Sequence, residues 1–276
     1  MRLIRILVVV LTCACIGFYI WATVRFNEDY DNVPPKLICD STTLELSVED
    51  GEEALYKGIT ATDDQDGDLT GEILLSGKSF FLESGVFEAE YVVFDSYQNF
   101  CQITRRIRYT DYTSPEFRVS QPLIFQRGEN IRYLNYVTAR DVLDGDITDQ
   151  IKVLASNVSN YTAGTYPVLL EVSNSYGDTV QVELMVVVRE KNSANVSIAL
   201  SEYLVYLTVG EEFDPYRLIE SVTTTDASQR SKQKVQVLGT VDTQTEGCYQ
   251  LIYSYDEDDG YGQAYLTVVV KEGAAQ

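Results

Sequence analysis

Two stretches of this 276-residue chain are copies of one another. The run DQDGDLTGEI from Asp64 lies on VLDGDITDQI from Val142 at an offset of 78 residues. Just downstream, SGVFEAEYVVFDSYQN from Ser84 lies on AGTYPVLLEVSNSYGD from Ala163 at an offset of 79, and a third version, EGCYQLIYSYDEDDGYG, begins at Glu246. A fixed period of this kind means that one supersecondary unit has been reused along the chain. In each copy a glycine (Gly85, Gly164, Gly247) opens a run in which every second residue is apolar. These residues are Phe87, Ala89, Tyr91 and Val93; Tyr166, Val168, Leu170 and Val172; and Tyr249, Leu251, Tyr253 and Tyr255. Period-two alternation marks a strand with one buried and one solvated face.

Each run is followed by turn residues and a further strand, CQITRRIRY, VQVELMVVV or AYLTVVV. Each is preceded by a glycine-acid turn, at Gly51-Glu52, Gly128-Glu129 and Gly210-Glu211. Helix signals are scarce after the first 25 residues, so the spacing predicts short antiparallel strands packed as sandwiches. The links DYTSP (Asp111 to Pro115) and REKNSAN (Arg189 to Asn195) are short, which predicts units stacked end to end. The expected divisions are 1–31 for a cytoplasmic stub, membrane segment and linker, then 32–112, 113–190 and 191–276 for three sandwich domains, the last divergent.

The N-terminus carries a different signal. From Ile6 to Val24 there is no charge, and Arg5 and Arg25 bracket the run. About 19 residues at 1.5 Å rise give roughly 28 Å, close to the ~30 Å hydrocarbon core of a bilayer. Cleaved leaders have shorter apolar regions, about 7–15 residues. Here the run continues through Phe18, Tyr19 and Trp21, residues suited to a membrane interface. Arg2 and Arg5 precede the segment, whereas Arg25 is soon followed by Glu28, Asp29 and Asp31. The basic flank predicts an uncleaved signal-anchor with its N-terminus cytoplasmic and its C-terminus extracellular. The competing readings are a lipoprotein acylated at Cys15 and a cleaved, secreted chain.

Composition excludes several function classes. The formal net charge is −21, from 42 acidic and 21 basic residues. Such a surface repels phosphate backbones, so nucleic acid is not an expected partner. Histidine is absent. That removes Ser-His-Asp and Cys-His catalysis, imidazole metal ligands and the usual near-neutral proton shuttle.

The ordered set of glycine-acid turn, A-x-D-x-x-D-G-D-[LI]-T and G-x-[FY]-x-[AVL]-x-[YL]-x-V-x-[DN]-S resembles the bacterial Ig-like repeats of Gram-positive surface proteins, a repeat type also found with a pesticidal crystal protein. Copy one matches through Ala61, Asp63, Asp66, Gly67, Asp68, Leu69, Thr70, Gly85 and Asp95-Ser96. Copy two matches through Ala139, Asp141, Asp144, Gly145, Asp146, Ile147, Thr148, Gly164 and Asn174-Ser175. Copy three keeps the glycines and late strands, but TTTDASQRSKQKVQV replaces the acidic turn. The resemblance implies an all-β chain of three tandem Ig-like antiparallel β-sandwiches behind an N-terminal transmembrane helix. It implies little about chemistry, because such repeats serve as spacers and as binding modules alike.

The acidic turn admits three readings. A catalytic acid–base pair at Asp66 and Asp68 needs one carboxyl sheltered from water, which a glycine-containing turn at a domain end does not offer. Calcium, a hard cation, suits clustered carboxylates, here Asp63, Asp66 and Asp68 with their copies Asp141, Asp144 and Asp146. The EF-hand pattern fails, since its first and twelfth places fall on Thr62 and Ile73. The third reading is a turn whose aspartates cap local amides and pin the sheet, and it is the expected one; no cofactor is expected. Cys39 and Cys101 lie in the first and last strand regions of copy one, and two readings stand open for them, a disulfide formed in an exported compartment or two buried free thiols. The function expected is that of a non-enzymatic cell-surface spacer or protein-interaction module with a surface protein or wall polysaccharide as partner. Glycan binding through exposed tyrosines is the alternative, and the divergent third copy is the expected binding unit. No Leu-Pro-x-Thr-Gly pattern occurs, so covalent wall attachment is not expected.

Overall fold

The computed structural model describes residues 2–28, 31–191, 195–258 and 260–273, without the side chains of 2–5 and 25–28. Parts of the REKNSAN link and of the C-terminal KEGAAQ stretch, expected to fray, lie outside the described residues. One helix, α1 (Arg2–Glu28), contains the apolar run Ile6–Val24, 19 residues long with mean hydropathy 2.3 and no part of it buried. It is long and apolar enough to cross a membrane. Among the described residues, everything after it is strand, short 3-10 turn and loop.

The strands form three successive pairs of sheets. In the first pair, β1 (Lys36–Cys39), β3 (Ile59–Asp63) and β4 (Gly67–Asp68) make one sheet. Strands β2 (Thr43–Leu46), β5 (Leu74–Lys78), β6 (Val86–Phe94) and β7 (Phe100–Tyr109) make the other, in the order β2-β7-β6-β5. The second pair sets β8 (Glu116–Val119), β10 (Val137–Asp141) and β11 (Gly145–Asp146) in one sheet. Its other sheet holds β9 (Ile124–Gln126), β12 (Lys152–Ser156), β13 (Gly164–Ser173) and β14 (Thr179–Arg189). The third pair sets β15 (Val196–Leu200) on β17 (Ile219–Thr224). Its larger sheet joins β16 (Leu204–Thr208), β18 (Gln236–Leu238), β19 (Gly247–Glu257) and β20 (Gly260–Lys271).

Most of the strand pairings are antiparallel. β9 runs parallel to β14, and β16 runs parallel to β20. The cause is a change of sheet: β8 pairs with β10, the chain passes Pro122, and β9 then lies against the last strand of the opposite sheet.

The alternating runs build the core. Phe87, Ala89, Tyr91 and Val93 on β6 are each fully buried, as are Val168, Leu170 and Val172 on β13 and Tyr253 and Tyr255 on β19. Removing a side chain of this size from water stabilises the fold by about 1.5–3 kcal/mol. Buried tyrosines keep their hydroxyls satisfied. Tyr91 donates to the Leu55 carbonyl at 2.7 Å and Tyr253 to that of Pro215 at 2.8 Å, both acceptors in 3-10 turns. These tyrosines therefore belong to the core and present no sugar-stacking face.

The chain divides into two compact units, Met1–Ser79 with Val86–Arg108, and Phe80–Gly85 with Tyr109–Gln276. The second unit joins the second and third sheet pairs. Leu204 of β16 is buried in the core of the second pair. The Phe117 amide donates to the Tyr206 hydroxyl at 2.9 Å, and Lys271 pairs with Glu116 at 2.6 Å.

Candidate functional site: the aspartate clasps and a carboxylate cluster

The repeated acidic motif turns back on itself directly after β3 and again after β10. Asp63 pairs with Gly67 and Asp141 with Gly145 in two tight hairpins. The left-handed residues are Gly67 (φ 77°) and Gly145 (φ 75°), a conformation that costs other residues strain. Asp63 Oδ1 accepts from the amides of Gln65 and Asp66, both at 2.9 Å. Asp141 Oδ1 accepts from those of Leu143 and Asp144, again at 2.9 Å. Asp68 Oδ1 takes the Thr70 amide at 2.9 Å and Asp146 Oδ1 takes the Thr148 amide at 3.0 Å. The two threonine hydroxyls accept in turn from the amides of Ala61 and Ala139, at 3.1 Å.

The middle aspartate reaches further. Asp66 Oδ2 accepts from the Ser96 amide at 2.7 Å and Oδ1 from the Ser96 hydroxyl at 3.0 Å. Asp144 does the same with Ser175, at 2.6 and 2.8 Å. One carboxylate thus ties the turn after β3 to the turn between β6 and β7, and its copy ties the corresponding turns of the second pair. This clasp explains why D-G-D and the later [DN]-S recur together. Hydrogen bonds to the charged form lower carboxyl pKa values. The Asp66 and Gln65 amides hold the Asp63 carboxyl below its usual value, and Thr70 and Thr148 do so for Asp68 and Asp146. In the third pair, Asp226 forms a smaller turn with Thr224 and Ser228, which lower its carboxyl in the same way.

Of the six aspartates named in the calcium reading, Asp66, Asp68, Asp144 and Asp146 accept from amides and hydroxyls. The structure brings Asp63 instead to two residues that spacing did not single out as ligands, Asp31 and Asp95. Their carboxylate oxygens lie within 4.8 Å of one another. Asp31 is 2% and Asp95 3% exposed. Asp95 Oδ1 accepts from the amides of Tyr97 and Asn99, and its Oδ2 from Asn99 Nδ2 at 2.7 Å. Asp31 Oδ2 and Asp63 Oδ2 are buried with no hydrogen-bond partner.

The second pair fills the corresponding corner differently. Asn174 stands where the first has Asp95, and its Nδ2 donates to Asp141 Oδ2 at 3.2 Å and to the Tyr112 hydroxyl at 2.8 Å. The Tyr112 hydroxyl donates to Asp178 Oδ2 at 2.7 Å. Burial, reinforced by the Asp178 carboxylate, raises the Tyr112 phenol far above its ordinary range. Here every polar group has a partner. The signal available in the sequence was the Asp95 to Asn174 change between otherwise matched copies.

Register places the two cysteines of copy one. Cys39 pairs with Ile59, four residues up β3 from Asp63, or about 13 Å at 3.3 Å per residue. Cys101 pairs with Val93, two residues from Asp95. The two cysteines thus sit in opposite sheets of the first pair. Both are free and partly buried, the second of the two readings. Arg105 on β7 is 1% exposed. It pairs with Asp40 at 2.7 Å and donates to the Ser41 hydroxyl and the Lys57 carbonyl.

An open cleft of about 430 Å³ in the second unit offers no paired acids. Its carboxylates, Glu129 and Glu190, are engaged with the Gln126 amide and with Arg127.

Paired sheets, sheet-switching edge strands and turn clasps define an Ig-like β-sandwich protein. Residues 201–269, within the third sheet pair, match the family described as bacterial surface protein, Ig-like domain. The match falls on the copy that lacks the acidic turn, so the strand framework carries the family likeness. The chain is 29% identical over 215 residues to the pesticidal crystal protein Cry22Aa of Bacillus thuringiensis, covering 74% of this chain and 28% of that protein. It therefore spans less than a third of that relative's length. Among solved structures, the M60 catalytic domain with CBM51-1 and CBM51-2 of Clostridium perfringens ZmpB is 13% identical, with a TM-score of 0.25 over 88% of this chain and 31% of that one. The lipoprotein BT2262 of Bacteroides thetaiotaomicron is also 13% identical, with a TM-score of 0.25 over 58% of this chain and 81% of its own. Neither likeness bears on function.

Proposed function

We propose that this chain is a non-enzymatic surface protein, held in the membrane by residues 6–24, which carries three consecutive Ig-like modules (32–112, 113–190 and 191–276) outside the cell as a spacer or protein-interaction element. The observation that carries this reading is the use made of the acidic motif. Its carboxylates bind backbone amides and serine hydroxyls, so the repeated chemistry builds a scaffold. General acid–base work instead needs a free carboxyl poised beside a substrate. The apolar helix adjoining this scaffold supports anchoring, and the arginines before it support a cytoplasmic N-terminus. Protease added to intact protoplasts is expected to digest the chain from about residue 31 onward. Protection of the sandwiches from external protease would reverse the orientation.

A second reading, recognition of wall glycans, has one observation in its favour. Tyr161, in the loop before β13, leaves 82% of its surface exposed, as a stacking platform for a sugar ring would. Retention of the protein on purified wall polysaccharide, lost in Tyr161→Ala, is the outcome this reading requires. Passage through the column at low salt would remove it.

A further inference from the structure

We propose that Asp31, Asp63 and Asp95 form a binding site for one hard divalent cation, calcium, at the end of the first sandwich. Three carboxylate oxygens within 4.8 Å of one another repel, and Asp31 and Asp95 are almost wholly removed from water. Burying such charges is unfavourable unless a counter-charge accompanies them. Among the described residues no ion pair reaches any of the three. Asp31 Oδ2 and Asp63 Oδ2 also lack any hydrogen-bond donor. The geometry is prepared for a cation rather than for a proton donor.

One oxygen of each carboxylate is fixed by backbone. Asp31 Oδ1 accepts from the Val33 amide at 2.8 Å, Asp63 Oδ1 from Gln65 and Asp66, and Asp95 Oδ1 from Tyr97 and Asn99. Those bonds leave the second oxygens of Asp31 and Asp63 buried without a donor. The donors are all oxygen, which selects hard cations over zinc or copper. Calcium binds oxygens at 2.3–2.6 Å, so two of its ligands are at most about 5 Å apart, and the observed spread fits within that limit. Calcium also tolerates irregular geometry and completes its shell with water, whereas magnesium demands a near-ideal octahedron.

The second sandwich serves as a natural comparison. There the Asn174 amide donates to Asp141 Oδ2, and the Tyr112 hydroxyl closes the corner. A neutral donor does in the second copy what the cation does in the first. The aspartate conserved in position between them, Asp63 or Asp141, therefore has two kinds of partner.

The full chain in detergent micelles, stripped with EDTA and dialysed, tests the site. Equilibrium dialysis against calcium chloride is expected to show about one calcium bound per chain. Calcium at about 100 times its dissociation constant is expected to raise the melting of the first unit by about 10 °C. Asp95→Asn copies the residue that already fills the equivalent place in the second sandwich, so the variant is expected to fold without metal. It should lose calcium retention and the calcium-dependent melting shift together, and Asp31→Asn should do the same. Absence of saturable calcium binding by the wild type, or undiminished binding in Asp95→Asn, would overturn the proposal.

Discussion

Asp66 and Asp144 hold two distant turns together with one side chain each. Replacing either by alanine leaves a serine amide and hydroxyl without their charged acceptor, a loss of about 1–2 kcal/mol. Asp66→Ala is expected to lower the melting temperature of the first unit by several degrees, and Asp144→Ala that of the second. Unchanged calorimetric melts would show that the clasp contributes nothing. Asp63, Asp68 and Asp146 add a pH dependence. Their carboxyls are depressed below the ordinary value of 3.8 by hydrogen bonds present only in the folded chain. A depressed carboxyl contributes stability above the unfolded value and loses it as pH falls through the folded one. Stability should therefore be level above about pH 5 and decline on acidification below about pH 4, and Asp68→Asn should flatten that decline in chemical denaturation series. The spacing of these residues was plain in the sequence, and their capping role followed from it. The Ser96 partner was not, because it lies 30 residues away.

At the scale of elements, the long central strands were the most legible. Every second residue of β6 faces the core, and the alternation showed as much. The short edge strands were less so: β9 has three residues, and nothing in Ile124 to Gln126 announces which sheet it joins. The hairpin after β10 depends on Gly145 at φ 75°, where an added Cβ would meet nothing within 4 Å. Gly145→Ala should therefore cost only the backbone penalty, about 1–2 kcal/mol, readable as a shifted urea midpoint with an unchanged slope. A loss several times larger would mean that the turn is crowded. Helix α1 was read from composition, since an uncharged run of bilayer length has few alternatives.

At the scale of the whole molecule, charge dominates. With a formal net charge of −21, self-repulsion opposes compaction and salt screens it. Raising sodium chloride from about 20 to 150 mM, where the Debye length shortens to about 8 Å, is expected to raise the melting temperatures of both units. A fall would show that favourable ion pairs outweigh the repulsion. Within the second unit the packing of the two sheet pairs hangs partly on Tyr206, whose hydroxyl accepts the Phe117 amide. Tyr206→Phe should cost about 1–3 kcal/mol by leaving that amide unpaired, measured as a lower melt of the second unit alone.

The sequence by itself determined the repeated all-β plan, the apolar helix and the acid turns, because these are written in local periods: two for strands, about 19 for the span, a fixed spacing for the motif. Only the tertiary structure decided that Asp31 and Asp95 meet Asp63, that Arg105 is buried, and that Cys39 and Cys101 sit in different sheets. Those outcomes depend on which strand lies beside which and in what register, and register is set by packing between residues far apart in the chain.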